Sequence, residues 1–197
     1  MNLPNKLTMI RILMIPLFVV CFYLPSSWVI GTLNGVNMQW NYFIAAVIFL
    51  LAYVTDTLDG RIARAKGLVT DFGKLMDPTA DKLLSSAALI MMCKFEVMSF
   101  GNFLMPVFAF VIIAREIFIS GIRQLAAGKG IVIAAKAIGK AKTTLQFIAV
   151  FVTLMCGPLF RAIGIPIDFA LICAAVVLTI WSGIDYTIGA KELFIER

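Results

Sequence analysis

The chain contains no histidine. Zinc–imidazole centres and Ser-His-Asp or Cys-His nucleophiles are therefore excluded. Cysteine is sparse: Cys21, Cys93, Cys156 and Cys173 all lie in apolar runs, and none forms a C-x-x-C. They are expected as small buried hydrophobes rather than a disulfide frame or a metal site. Charge is low as well, at 14% of residues against about 25% in an ordinary soluble domain. That excludes a disordered chain, a charged coiled coil and most soluble enzymes. What the chain does have is apolar surface: 61% of its 197 residues are hydrophobic, and the mean hydropathy is +0.98. A globule of this size has too much surface to hide that excess, so a bilayer is its natural solvent.

A membrane span needs about 20 largely apolar residues. Six stretches qualify, near 7–25, 38–58, 78–98, 103–124, 143–160 and 166–188. The first has Lys6 and Arg11 at its start, but Pro-Ser-Ser-Trp follows Leu24 without a small-x-small cleavage site, so it is expected to be a retained span rather than a signal peptide. Basic residues alternate between the connections. Segment 26–37 has none, whereas 59–82 carries Arg61, Arg64, Lys66, Lys74 and Lys82, and 123–142 carries Arg123, Lys129, Lys136, Lys140 and Lys142. The third and fifth connections have only Lys94 and Arg161, and the C-terminal segment has Lys191 and Arg197. The expected fold is thus all-α: one membrane domain over 1–197, a bundle of six transmembrane helices with both termini and both basic loops cytoplasmic. The net charge of +6 serves topology and contact with anionic lipid; nothing resembles a nucleic-acid module. The absence of an internal repeat weighs against an inverted-repeat transporter.

The charge that remains is concentrated. Residues 56–81 hold nine charged side chains in 26 positions, five of them Asp. Asp56 and Asp59 share a face at i, i+3 at the end of the second span, and Asp77 and Asp81 share one at i, i+4 at the start of the third. A short connection makes the two helices antiparallel, so both pairs reach the same depth. Asp77-Pro78 reads as an N-cap followed by proline at the first helical position, and Asp71, on neither face, as a solvated loop residue. Four converging carboxylates repel one another, and a cation relieves that repulsion. With only oxygen ligands the ion is hard: Mg²⁺, Mn²⁺ or Ca²⁺. Four carboxylates could hold two such ions, the arrangement that clamps a phosphate through in-line displacement. Gly60, beside Asp59, disfavours helix by about 1 kcal/mol relative to Ala and suits a place where a ligand approaches the backbone.

The residues Asp56-x-x-Asp59-Gly60-x-x-Ala63-Arg64, then eight residues, then Gly73-x-x-x-Asp77-x-x-x-Asp81 resemble the signature of the CDP-alcohol phosphatidyltransferase family at every fixed position. The family's six-helix layout, with the motif across the second and third helices, agrees with the spans above. The flanks, Asn2 to Thr8 with Arg11, Arg115-Glu116, Arg123, and Lys136 to Gln146, resemble the bacterial branch that uses sn-glycerol 3-phosphate. The resemblance implies transfer of a phosphatidyl group from CDP-diacylglycerol to sn-glycerol 3-phosphate, releasing CMP, at the cytoplasmic face of the bacterial inner membrane. It implies that Asp56, Asp59, Asp77 and Asp81 hold two Mg²⁺ or Mn²⁺ ions, with Asp81 as base for the acceptor hydroxyl. Gly60, Ala63, Arg64 and Gly73, with Asp59, Asn5 and Thr8, would bind the CDP-lipid. The family also implies a homodimer.

A phosphorylated acceptor needs cations of its own. Arg115 lies too deep in the fourth span for a topology charge and is expected to line a polar cavity. Arg123 follows two turns later on nearly the same face. Lys136 and Lys140, one turn apart, complete the set. Arg115 and Glu116 point about 100° apart, so they are not partners; Glu116 is expected to pair within the bundle. Other acceptors within the family (inositol phosphate, serine, phosphatidylglycerol) remain alternatives. Two other classes do too: an Asp-rich membrane prenyltransferase, which would release pyrophosphate, and a cation transporter, which would carry metal flux without CDP-lipid.

Overall fold

A computed structural model describes residues 3–66, 71–129 and 137–190, with side chains described at 6–56, 76, 78–129 and 137–190. Among the described residues there are six α-helices: α1 (Leu3–Cys21), α2 (Trp40–Lys66), α3 (Asp71–Phe95), α4 (Met105–Gly128), α5 (Ala137–Ile163) and α6 (Ile167–Gly189). Three helical stretches, Asn102–Gly128, Ala137–Ile163 and Ile167–Gly189, are long and apolar enough to cross a membrane, and Trp40–Asp56 is a shorter apolar helix. The chain is a helical membrane protein in character.

Two features depart from the sequence expectation. The first is a β-hairpin between α1 and α2, formed by β1 (Val29–Leu33) and β2 (Val36–Gln39), where an all-α chain is expected. Asn34 and Gly35 at its tip have φ of 49° and 79°, the left-handed pair that an Asn-Gly hairpin turn requires. β-Branched Val29, Ile30, Thr32 and Val36 supply the flanking strand preference. The second is the start of α3. The helix begins at Asp71, and Pro78 lies inside it, so Asp77-Pro78 is not the helix start and Asp71 is not a loop residue. Lys74, Leu75 and Met76 are good helix formers, and an internal proline removes a backbone hydrogen bond without ending this helix.

The core is built mostly of rings and small residues. Phe18, Phe22 and Phe49 pack among Ala45, Ala46, Ala52 and Ala88, all close to zero exposure, and the alanines let the helix backbones approach. α1 packs chiefly on α2, and α5 on α6. Outward positions carry Leu13, Leu17, Phe110, Ile117, Trp181 and Ile184, each more than half exposed; these are groups that hydrocarbon solvates better than water.

One end of the bundle is fastened by polar contacts. Asp168, fully buried at the start of α6, accepts hydrogen bonds from the Ser99 backbone N–H at 2.7 Å and from the Ser99 hydroxyl. Arg161, near the end of α5, donates from Nη2 to the carbonyls of Glu96 and Met98, each at 2.6 Å. Asn34 of the hairpin donates to the Ala162 carbonyl at 2.9 Å. Gly157 fits here because a Cβ on it would lie 2.5 Å from the Val97 carbonyl oxygen. Those of the residues singled out by the sequence that are described, among them Arg11, Asp56, Asp81, Arg123 and Lys140, lie toward the opposite end.

Candidate active site

At that opposite end, Arg11 of α1 is fully buried, and its Nη1 lies 2.7 Å from the Asp56 carboxylate on α2. Asp56 keeps about a third of its side-chain exposure, 35%, so it remains reachable from outside the bundle. Thr8 lies one turn before Arg11 and is also buried. Asp81, on α3, faces Asp56 and Glu116 as like charges and Arg11 and Lys142 as opposite ones, all within electrostatic reach. Asp56 and Asp81 are thus near enough to interact electrostatically. The side chains of Asn5, Asp59, Gly60, Ala63, Arg64, Gly73 and Asp77, and all of Lys136, lie outside the described residues.

Beside Asp81 a second polar cluster joins α3, α4 and α5. Glu116 accepts a hydrogen bond from Lys142 Nζ at 2.6 Å, and Lys142 is almost fully buried. Ser85 Oγ donates to the Lys82 carbonyl at 3.1 Å and also lies 3.4 Å from Glu116 Oε2. Lys82 Nζ donates to Ser120 Oγ, and Ser120 donates to the Glu116 carbonyl at 2.5 Å. Glu116 therefore pairs within the bundle, as expected, and its partner is Lys142 rather than Arg115. Sequence reasoning treated Lys142 and Lys82 as topology charges. The signal for Lys142 was Glu116 itself, because a carboxylate inside an apolar helix needs a cation.

These elements enclose a cleft of about 710 Å³, within the ordinary range for small-molecule sites. Asp81 and Glu116 line one side, and Arg115, Arg123 and Lys140 contribute cations. Arg123 Nε donates to the Tyr186 hydroxyl at 3.2 Å, and its guanidinium carbon lies 5.3 Å from the centre of that ring, a cation–π geometry that fixes the side chain. Arg115 Nε is buried without a hydrogen-bond partner among the described residues. Its stem lies against Gly183, where a Cβ would come within 3.2 Å of Arg115 Cγ. An unpartnered guanidinium N–H beside a cleft is a donor set for an anion, and its planar fork suits phosphate.

A divalent metal fits the carboxylate side. Asp56 and Asp81 offer oxygen only, the donor chemistry of Mg²⁺ and Mn²⁺, and their mutual repulsion is what a cation relieves. No group of three potential ligands occurs among the described residues, where Asp59 and Asp77 are not included.

A helical bundle of membrane character, with the Asp81 carboxylate and several cations lining one cleft, fits the class of enzyme that handles lipid phosphates. A family model described as CDP-alcohol phosphatidyltransferase matches residues 1–181, and the chain belongs to that family. A Bacillus subtilis (strain 168) protein named CDP-diacylglycerol–glycerol-3-phosphate 3-phosphatidyltransferase is 39% identical over 186 residues, covering 94% of this chain and 93% of that protein. Relatives of the same name from Sodalis glossinidius (strain morsitans) and Escherichia coli (strain K12) are 38% and 36% identical. They cover all of this chain and 99% and 98% of their own lengths.

Proposed function

We propose that this chain transfers a phosphatidyl group from CDP-diacylglycerol to sn-glycerol 3-phosphate, giving phosphatidylglycerophosphate and CMP. The observation that carries the reading is one cleft lined both by Asp81 and by Arg115, Arg123 and Lys140. A serine acceptor has no phosphate to use those cations, whereas glycerol 3-phosphate does.

In this reading the chain is a six-span bundle of the bacterial inner membrane, with both termini and the site on the cytoplasmic side, and it works as a homodimer. The charge alternation of the loops supports that orientation, and a site at the helix ends suits a donor whose pyrophosphate sits in the headgroup layer. Asp56, Asp59, Asp77 and Asp81 would hold two divalent cations, Mg²⁺ or Mn²⁺, which supply charge neutralisation for the pyrophosphate and the departing CMP. Asp81 accepts the proton of the acceptor hydroxyl as its oxygen bonds to the phosphorus and the bond to CMP breaks. Gly60, Ala63, Arg64 and Gly73, with Asn5 and Thr8 on the first turns of α1, form the CDP side. Arg115, Arg123, Lys136 and Lys140 take the acceptor phosphate and orient its hydroxyl.

The test is an acceptor panel with purified protein, CDP-diacylglycerol and Mg²⁺ or Mn²⁺, reading CMP. Turnover with glycerol 3-phosphate and none with serine or inositol phosphate is expected. Turnover with another alcohol alone overturns the acceptor, and release of pyrophosphate in place of CMP overturns the reaction.

A further inference from the structure

Behind Asp81 lies a second, small cavity of about 30 Å³. Tyr53, Asp81, Ser85, Glu116, Thr143 and Gln146 supply its polar lining, and Leu84 and Val150 are among its apolar groups. Asp81 lines this cavity and the large cleft alike, as do Glu116 and Thr143, so the two spaces adjoin at Asp81. Gln146 sits on α5 one turn after Lys142. It retains only 4% exposure, and its Oε1 has no hydrogen-bond partner among the described residues. A buried amide oxygen left in that state is costly, and such groups are ordinarily satisfied by ordered water.

The space and the chemistry select the occupant. About one probe sphere, 10–15 Å³, suffices for a water, provided it finds two to four polar partners. The wall offers the Asp81 and Glu116 carboxylates and the Gln146 amide oxygen as acceptors; of its hydroxyls, Ser85 already serves the Lys82 carbonyl and Glu116, Thr143 donates to the Gly139 carbonyl, and Tyr53 also lines the cavity. A group bringing two donors serves the unpartnered Gln146 Oε1 and the Asp81 carboxylate at once. An anion is repelled by Asp81 and Glu116, and an apolar group leaves Gln146 unsatisfied.

We propose that this cavity holds an internal water that donates one hydrogen to Gln146 Oε1 and the other to the Asp81 carboxylate. Gln146 is then a positioning residue: acting through the water, it fixes the plane of the carboxylate so that its remaining lone pairs face the cleft. The catalytic part of this inference rests on the role given to Asp81 above; the water itself does not.

Hydroxyl-radical footprinting of the intact protein in detergent, with H₂¹⁸O as solvent, reads the water directly. Leu84 and Val150 are almost fully buried and label only where water sits beside them. Labelling is expected in the natural protein and should fall several-fold in Gln146→Met and in Val150→Ile, whose extra methyl group fills the cavity while keeping the amide. Both variants should lose about 10–100-fold in kcat, the scale of outer-shell substitutions, with the KM of each substrate unchanged. Unlabelled Leu84 and Val150 in the natural protein overturn the water. Labelling that survives in Gln146→Met overturns the bond to Gln146, and full kcat in both variants overturns the positioning role. Undiminished turnover in Asp81→Asn overturns instead the role of Asp81 in the proposed function, whatever the footprint shows.

Discussion

The buried guanidinium of Arg11 meets the Asp56 carboxylate at 2.7 Å, tying the first helix to the aspartate motif on the second. Arg11 thereby supplies positive charge to the carboxylate site proposed above to hold metal ions. Arg11→Met should lower the melting temperature of the metal-free protein. The cost should stay below the about 3–5 kcal/mol typical of breaking a buried pair, because Asp56 is partly solvated. Mn²⁺ should restore more stability to Arg11→Met than to the natural protein, since a ligand that binds only the folded state stabilises it by mass action. Thermal unfolding with chelator and with Mn²⁺ measures the difference.

Asp81→Asn should reduce CMP release by about 10²–10⁴-fold, the usual contribution of a positioned acid or base. Its folding should hold or improve, because Asp81 lies within electrostatic reach of Asp56 and Glu116 and the neutral amide removes that repulsion. Parallel turnover and melting measurements separate a loss of chemistry from a loss of fold.

Arg115→Met should raise the KM for glycerol 3-phosphate by about 10–100-fold, equivalent to a hydrogen bond to a charged group at about 1.5–3 kcal/mol. The KM for CDP-diacylglycerol should change little. Arg115→Lys should not restore the natural value, because a point charge does not reproduce the planar fork. Gly183→Ala, whose Cβ would press on Arg115 Cγ at 3.2 Å, should give a smaller shift in the same constant. Steady-state kinetics with each substrate varied in turn decides the matter.

The Glu116–Lys142 pair should behave as a unit. Lys142→Met leaves a largely buried carboxylate without its 2.6 Å partner and should cost about 3–5 kcal/mol of stability. Glu116→Gln combined with Lys142→Met should recover most of it. A double-mutant cycle on unfolding in detergent reads the coupling.

Gly157→Ala tests the end remote from chemistry. Its Cβ would lie 2.5 Å from the Val97 carbonyl oxygen, and backbone cannot rotate aside as a side chain can. A destabilisation of about 1–3 kcal/mol is expected. The kcat/KM per folded molecule should stay unchanged, as scored by melting temperature and active-fraction kinetics.

Asp56 and Asp81 were legible as candidates because charge stands out in an apolar chain and because helical spacing places i, i+3 and i, i+4 neighbours on one face. Arg115 was legible for the same reason. The partners of these residues were less so. Lys142 sits among other basic residues in sequence, and only the meeting of α4 and α5 shows that it neutralises Glu116. Arg11 looked like a flanking charge until the packing of α1 against α2 buried it. The Asn34-Gly35 turn was a visible hairpin signal within a segment read only for its lack of positive charge. Pro78 misled because proline suits a helix's first turn so well that its presence deeper in α3 has no local signature. Asp168 and Ser99 are single polar residues in apolar surroundings, and nothing in their spacing announces that they meet.

That meeting has a mechanical consequence. The Asp168–Ser99 and Arg161–carbonyl bonds rivet the junctions of α3 with α4 and of α5 with α6 at one end of the bundle. The cleft opens at the other. Helices joined this firmly at one end move least there, so any tilt between them is felt most toward the far tips. Arg123, near the end of α4, and Lys140, near the start of α5, sit where a given tilt changes the gap most, whereas Arg115, mid-helix beside the Glu116–Lys142 tie, moves less, and admitting a bulky lipid headgroup need not disturb the joint at the other end.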